Sequence, residues 1–180
     1  MDLAYLFNEG ENYMSYKFLG SHPYEDGDEK GFVFRVWAPN ARNVSVMGDF
    51  NEWDANSNQM QLLGNTGIWE LKVAGAQQWD RYKYRVVGAD SRIYEKGDPF
   101  ARHFETRPNN ASILYDPDDY LWNDDEFCDN RTDALTPKPI NIYELHLGSW
   151  RRHPDGNFFS YRELAIDLSD YCKKMNYTHI

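Results

Sequence analysis

The spacing of apolar residues along the chain changes twice. Residues 2–19 carry apolar side chains three and four positions apart, with a break at Gly10, which predicts one or two short helices. From Gly31 onward apolar and polar residues alternate in short segments, each bounded by Pro, Gly, Asn or Asp. These segments are residues 32–37, 44–46, 68–73 and 82–87. The pattern predicts an antiparallel β-sandwich over residues 31–115, preceded by a helical lead-in over residues 1–30.

A third pattern begins near residue 140. Residues 140–147 (INIYELHL) are typical of a buried strand, and residues 160–175 have the spacing of an amphipathic helix. Ser160 followed by Glu163 is a capping box, which fixes the start of that helix. Residues 177–180 predict a second strand, so the region has the order of a parallel strand–helix–strand unit. We expect this unit to be truncated and poorly ordered, because parallel strands need partners and covered faces.

Residues 116–139 lie between the two predicted regions. They are acidic and aromatic and contain Pro117, Pro137 and Pro139, a composition that favours an ordered connector over a flexible Gly/Ser linker.

The composition limits the function classes. The 180 residues carry a formal net charge of −10, which argues against a nucleic-acid partner, since binding phosphates requires clustered Lys and Arg. No apolar run approaches the ~20 residues of a membrane span, and the first residues do not resemble a secretory signal. We therefore expect a cytoplasmic protein without a membrane partner. Cys128 and Cys172 fit no metal or redox spacing, and reduced thiols are expected.

Few residues suggest catalysis. Glu144 and His146 lie on one side of the predicted strand, but one carboxylate and one imidazole form neither a glycosidase pair nor a nucleophile with its base. The other histidines are isolated, so no metal site and no cofactor are predicted. Neither glycine-rich phosphate motif occurs. The sequence therefore nominates no catalytic residue.

Trp53 is the most informative candidate for binding. It lies in a polar turn (GDFNEWDA, residues 48–55) after a predicted strand, where no alternation assigns it to the core. Its indole face could pack against the C–H face of a sugar ring, or it could close the end of the sandwich; the two interpretations have equal weight. Lys83 is expected on the side of its strand opposite Tyr82 and Tyr84, which suits a hydrogen-bond donor beside such a ring. Trp37, Trp69 and Trp79 are expected in the core.

Several motifs together resemble the α-1,4-glucan branching enzymes, in the order found in that family. Residues 6–23 are also similar to the lead-in of the bacterial glycogen branching enzymes. The combination of HLGSW, RR and YRELA favours branching enzymes over their debranching and trehalose-forming relatives. The motifs are GFVFRVWAPNARNVSVMGDFNEWD (31–54), GIWEL (67–71), YKYRV (82–86), KGDPFA (96–101), RPNNASI (107–113), IYELHLGSWRR (142–152) and SYRELA (160–165).

The resemblance implies a mainly β chain. It would contain an immunoglobulin-like antiparallel β-sandwich that binds glycogen, followed by the first β/α unit of an amylase-type (β/α)8 barrel over residues 140–180. The three catalytic carboxylates of the family belong to later barrel strands and have no counterpart here, so this chain alone is expected to be inactive. The parent reaction would cleave an α-1,4-glucan and transfer the chain to a 6-hydroxyl with retention of configuration. The parent is expected to be a monomer.

The resemblance also implies a glucan site. Related modules hold α-1,4-glucan with the FNxW tryptophan, a lysine of the YKY-like strand, a second aromatic residue and an asparagine. The matching residues are Trp53, Lys83, Tyr94 and Asn110. The alternative is a non-enzymatic glycogen-binding module of a regulatory or scaffolding protein, but that class leaves residues 140–180 unexplained.

Overall fold

The structure is a computed structural model that describes residues 2–129 and 139–180. The chain divides into two compact units, one ending at Leu121 and the other beginning at Trp122. Each unit is described by itself below.

The first unit is built from two antiparallel sheets. The first sheet has the strand order β1-β2-β5-β4, with β1 at Gly20–Asp26, β2 at Glu29–Trp37, β4 at Gln61–Leu62 and β5 at Ile68–Ala74. The second sheet has the order β3-β6-β9-β8, with β3 at Ala41–Gly48, β6 at Arg81–Gly88, β8 at His103–Phe104 and β9 at Ser112–Ile113. A further strand, β7 (Ile93–Lys96), pairs with β6. The predicted antiparallel β-sandwich is confirmed.

Alternation along β2, β5, β3 and β6 directs one apolar face of each sheet toward a shared core. Phe34 and Tyr82, which belong to opposite sheets, pack edge to face with ring centroids 5.1 Å apart. Trp69 is buried in this core, as predicted, and its indole nitrogen donates to the carbonyl of Ala38 at 3.0 Å. The cluster consists of Phe32, Phe34, Val36, Val44, Val46, Met60, Trp69, Val73, Ala76, Tyr82, Tyr84 and Leu114.

The lead-in is only partly helical. Helix α1 (Leu3–Asn8) is capped by Asp2, whose carboxylate accepts from the Ala4 amide at 2.9 Å, and a short 3-10 turn follows at Ser15–Lys17. Residues 20–26 form β1 instead, so the prediction of a helical lead-in over residues 1–30 is wrong for this part. Their sequence, GSHPYED, has no apolar alternation, because β1 is an edge strand that buries little. Pro23 is tolerated there because an edge strand has an unpaired side.

The second unit is mainly helical. Its helices are α2 (Asp125–Asp129), α3 (Leu147–Trp150) and α4 (Tyr161–Lys174). The predicted capping box of α4 is present: the Ser160 amide donates to the Glu163 carboxylate at 2.8 Å, and the Ser160 hydroxyl accepts from the Glu163 amide. Leu164, Leu168 and Cys172 form its buried side.

The strand predicted at residues 140–147 does not form. A single parallel bridge joins Ile142 to His179, and residues 147–150 are helical. The side chains of Ile140 and Ile142 are 67% and 64% exposed. A parallel strand is stable only between neighbours and under helices, and these residues have one bridging partner. The first barrel unit is therefore not formed as predicted.

The predicted connector is described only in part. Residues 130–138, including Pro137, lie outside the described residues. Pro117 begins a short 3-10 turn at Pro117–Asp119, and α2 follows.

Two expectations from composition can be compared with the described residues. Cys128 and Cys172 are both free thiols, as predicted. Among residues 2–129 and 139–180, no helix is both long and apolar enough to cross a membrane.

Candidate functional site

The turn that carries Trp53 is closed by Asn51. The Asn51 side-chain oxygen accepts from the Gly48 amide at 2.8 Å, and its nitrogen donates to the Val46 carbonyl at 3.1 Å and to the Asn58 side chain at 2.7 Å. The Trp53 amide donates to the Gly48 carbonyl at 2.9 Å. Trp53 has a φ of 61°, a left-handed conformation that costs a bulky residue energy. The hydrogen bonds of Asn51 hold this turn in place.

The indole of Trp53 lies beside Asp49. Its ring nitrogen donates to a carboxylate oxygen of Asp49 at 3.0 Å. The side chain is half-buried, and the core cluster among the described residues does not contain it. One edge of the ring is therefore fixed by a polar contact, an arrangement that favours the platform interpretation over the end plug.

Asp49 connects the turn to strand β6. Its carboxylate accepts from the Arg81 amide and Nε, both at 2.9 Å, and from an Arg81 terminal nitrogen at 3.0 Å. The hydrogen bonds from Arg81 lower the pKa of Asp49 to about 2, so the carboxylate is ionised over the physiological pH range. Asp49 therefore fixes both the indole and the guanidinium.

Arg81 in turn connects to the loop that holds Asn110. Its guanidinium lies 3.6 Å from the carboxylate of Glu105. Glu105 accepts from the Ala111 amide at 3.0 Å and is 3.5 Å from the Asn109 side-chain nitrogen. A surface pocket of about 780 Å³ here is lined by Phe104, Glu105, Arg107, Pro108, Asn109 and Asn110. The exposed Asn110 thus lies in a loop linked to Trp53 through three charged side chains.

Lys83 lies on the same face of the sheet as Arg81. Both residues alternate in β6 with Tyr82 and Tyr84, which are buried in the core. The side chain of Lys83 is half-buried. The predicted orientation of Lys83, opposite the two tyrosines, is confirmed.

Tyr94 lies on the other face. It pairs directly with Val86, and paired residues of an antiparallel sheet project to the same side. Val86 packs against the core, so Tyr94 is on the inner face, and the Nζ of Lys96 lies 5.8 Å from its ring centre. The structure therefore does not bring Tyr94 together with Trp53, Lys83 and Asn110. The number of residues between Lys83 and Tyr94 does not reveal the register of β7 on β6, and this register places Tyr94 on the opposite face.

Sequence reasoning missed Asp49, Arg81 and Glu105. The only available signal was their position, Asp49 directly after β3 and Arg81 at the start of β6. It also placed Trp37 and Trp79 in the core, whereas they are 51% and 57% exposed. Trp37 is the last residue of β2 and projects to the face opposite Phe34, whereas Trp79 lies in the turn before β6, outside any strand.

The chemistry of the site suits a neutral, hydroxyl-rich ligand. The Trp53 indole lies beside the Asp49–Arg81 ion pair, and Lys83 projects from the same face of β6 as Arg81. An aromatic face next to such hydrogen-bonding groups can pack against and hydrogen-bond a pyranose ring. Among the described residues, no group of His, Cys, Asp and Glu side chains could hold a metal ion.

Comparison with known proteins finds one matching family model and several similar relatives. Residues 18–101 match the family Carbohydrate-binding module 48 (Isoamylase N-terminal domain). The 1,4-alpha-glucan branching enzyme of Halothermothrix orenii is 45% identical over 179 residues, which cover 98% of this chain and 28% of the relative. That of Bacillus subtilis is 44% identical over 178 residues, again 98% of this chain and 28% of the relative. The chain thus spans about a quarter of the length of these relatives.

The fold is also similar to solved structures. A pullulanase from Paenibacillus barengoltzii superposes with a TM-score of 0.55 at 23% identity, over 83% of this chain and 24% of the pullulanase. At this identity the likeness concerns the fold alone.

Proposed function

We propose that this chain, whose residues 18–101 match carbohydrate-binding module 48 and which is similar over 98% of its length to 1,4-alpha-glucan branching enzymes, binds α-1,4-glucan through its sandwich. The observation that carries the proposal is the side-chain series Trp53–Asp49–Arg81–Glu105, which joins the tryptophan turn to the Asn110 loop. Glycogen and maltooligosaccharides are the ligand class, and Trp53, Lys83 and Asn110 are the residues proposed to contact them.

The physical basis of binding is a ring platform with fixed polar neighbours. The C–H face of a glucose ring packs on the Trp53 indole, whose orientation is set by Asp49. Lys83 donates to sugar hydroxyls, and the Asn110 amide both donates and accepts. Because Asp49 already fixes the Trp53 indole, binding does not have to order that ring.

We further propose that the longer protein is a branching enzyme that cleaves α-1,4 chains and forms α-1,6 branches. The similarity extends through residues 140–180, which a free-standing glycogen-binding module does not require. The non-enzymatic module therefore remains the second candidate. We propose a cytoplasmic, monomeric parent. The formal net charge of −10 argues against binding to nucleic acid, and no apolar run in the sequence approaches the length of a membrane span.

Replacing Trp53 with Ala is expected to weaken maltoheptaose binding about two- to tenfold, because stacking contributes roughly 0.5 to 1.5 kcal/mol beyond buried area. Lys83→Ala is expected to weaken it less, since a hydrogen bond contributes about 0.5 to 1.5 kcal/mol net, whereas loss of the indole removes buried apolar area in addition to the stacking contribution. Tyr94→Ala is the matched control on the opposite face and leaves affinity unchanged. Calorimetric titration measures the affinity of each variant for maltoheptaose, and a parallel thermal melt measures its stability. An unchanged affinity together with a large loss of stability in Trp53→Ala would instead support the end plug.

The 180-residue chain is expected to show no branching or hydrolysis of amylose. The family's three catalytic carboxylates match no residue of this chain, and the chain spans about a quarter of its relatives. Iodine staining and reducing-end counting after incubation with amylose are the measurements. Turnover that persists after repurification would contradict the expectation.

A further inference from the structure

Trp79 combines two unfavourable properties. Its indole is 57% exposed, and its φ is +80°, a conformation that glycine adopts without penalty and a bulky residue adopts only under constraint. The backbone around it is held firmly: the Trp79 amide donates to the Leu114 carbonyl at 2.8 Å, and the Leu114 amide donates to the Asp80 carbonyl at 2.9 Å. Strain of this kind occurs preferentially at functional positions. The presence of a tryptophan here therefore needs a reason other than packing.

Trp79 belongs to a cluster of three rings, which we name the Trp79 cluster: Trp79, His103 and Tyr115. Trp79 packs edge to face on His103, with ring centres 5.6 Å apart, and against Tyr115 at 5.3 Å. His103 and Tyr115 are 5.9 Å apart. Because each ring restrains the others, the cluster presents an ordered aromatic surface beside a tyrosine hydroxyl and an imidazole.

The Trp79 cluster lies on the face of the sheet that carries the proposed glucan site. Ile113 pairs with both Arg81 and His103, so these three residues project to one side. Tyr115 follows Ile113 by two positions, and the intervening Leu114 is buried in the core. Arg81 contacts Asp49, the partner of the Trp53 indole. Arg81 and His103 are two strand spacings apart, ~10 Å, more than one glucose ring spans.

We propose that the Trp79 cluster is a second stacking subsite, which takes another glucose ring of the same α-1,4-glucan chain that is held at Trp53. The inference rests on the proposed function and extends it to ligand length. Its chemistry is that of a sugar platform: exposed ring faces bounded by hydrogen-bonding groups, with the Arg81–Glu105 pair between the two platforms. A chain that reaches both platforms binds more tightly than one that reaches a single platform, because the second contact becomes intramolecular.

The test compares maltotriose with maltoheptaose by calorimetric titration of the 180-residue chain and its Trp79→Gly variant. Glycine removes the ring and suits the backbone at φ +80°, so the melting temperature of the variant is expected to equal or exceed that of the parent chain. The affinity for maltoheptaose is expected to fall about two- to tenfold, and that for maltotriose much less. Trp37→Ala, which removes a similarly exposed tryptophan from the other sheet, is the control and leaves both affinities unchanged.

The outcomes separate this inference from the proposed function. If Trp53→Ala lowers the affinity for both ligands while Trp79→Gly lowers neither affinity, the proposed glucan site stands and the second subsite is rejected. If Trp79→Gly weakens maltoheptaose binding and Trp53→Ala has no effect, the Trp79 cluster binds glucan by itself, and both the site at Trp53 and the two-platform inference are rejected. Absence of binding by the unmodified chain rejects both.

Discussion

Replacing Asp98 with Ala is expected to lower the free energy of unfolding of the sandwich by about 3 to 5 kcal/mol. Asp98 is 1% exposed, and its carboxylate accepts from the hydroxyls of Tyr82 at 2.7 Å and Tyr84 at 3.2 Å and from the Phe100 amide at 2.8 Å. Removing it leaves two buried tyrosine hydroxyls and the partly buried Phe100 amide without this acceptor, and each unsatisfied buried donor costs about 1 to 3 kcal/mol. The melting temperature of this unit should fall by more than about 10 °C.

Asp98→Asn provides the matched control, because it keeps an acceptor for the Phe100 amide and removes the charge. Burial raises the pKa of Asp98 above its ordinary value. A raised pKa means that the folded state binds the Asp98 proton more tightly than the unfolded state does. Protonated Asp98 therefore contributes its full stabilisation below the pKa that Asp98 has in the unfolded chain. This stabilisation is lost as the pH rises through the pKa that Asp98 has in the folded state. The penalty of Asp98→Asn should therefore shrink as the pH rises across that window, and a penalty that grows with pH would contradict this assignment.

Gly48→Ala is expected to lower the free energy of unfolding by about 3 kcal/mol and to weaken glucan binding by about tenfold. A β-carbon at this position would overlap the carbonyl oxygen of Arg81 in the neighbouring strand, and backbone cannot yield as a side chain does. The same residue bonds Asn51 through its amide and Trp53 through its carbonyl. A shift of Gly48 thus displaces the turn that presents the indole.

Gly88→Ala is the comparison for Gly48→Ala. Gly88 is at the far end of strand β6, and a β-carbon there would meet only the flexible end of the Asp90 side chain within 3 Å. Its cost is expected to remain below about 1 kcal/mol, with unchanged glucan affinity. Thermal melts and maltoheptaose titrations of both variants provide the measurement. Equal effects of the two substitutions would show that glycine content, and not the clash with Arg81, determines the result.

Local patterns predicted most of the sandwich because its central strands have one buried face. Phe34 in β2 and Tyr82 in β6 lie where alternation places them, and Ser160 caps α4 as its spacing indicates. The strand β1 was missed because an edge strand buries too little for an alternating signal. The strand at residues 140–147 was predicted from apolar content, but a parallel strand depends on neighbours that local sequence does not supply.

The candidate site was predictable only in part, for a related reason. The sequence predicted that Trp53 lies in a polar turn, and it predicted the side of β6 on which Lys83 lies. The register of β7 decides the direction of Tyr94, and register is a long-range property of pairing. The Arg81–Glu105 contact joins residues 24 positions apart and depends on the order β6-β9-β8. Contacts between such distant residues depend on the order of the strands in the sheet, and the alternation of apolar and polar residues does not specify that order.

The packing of the lead-in makes the two outer surfaces of the sandwich different, because it covers part of the first sheet only. Ala4, Phe18 and Leu19 cover Ile68, which alternates with the inward-facing Trp69 and so belongs to the outer surface of the first sheet. The proposed glucan contacts belong to the outer surface of the second sheet. A dye, affinity tag or solid support attached at the amino end is therefore anchored behind the module. Immobilisation through that end would leave the outer surface of the second sheet, beside which Trp53 lies, on the side away from the support.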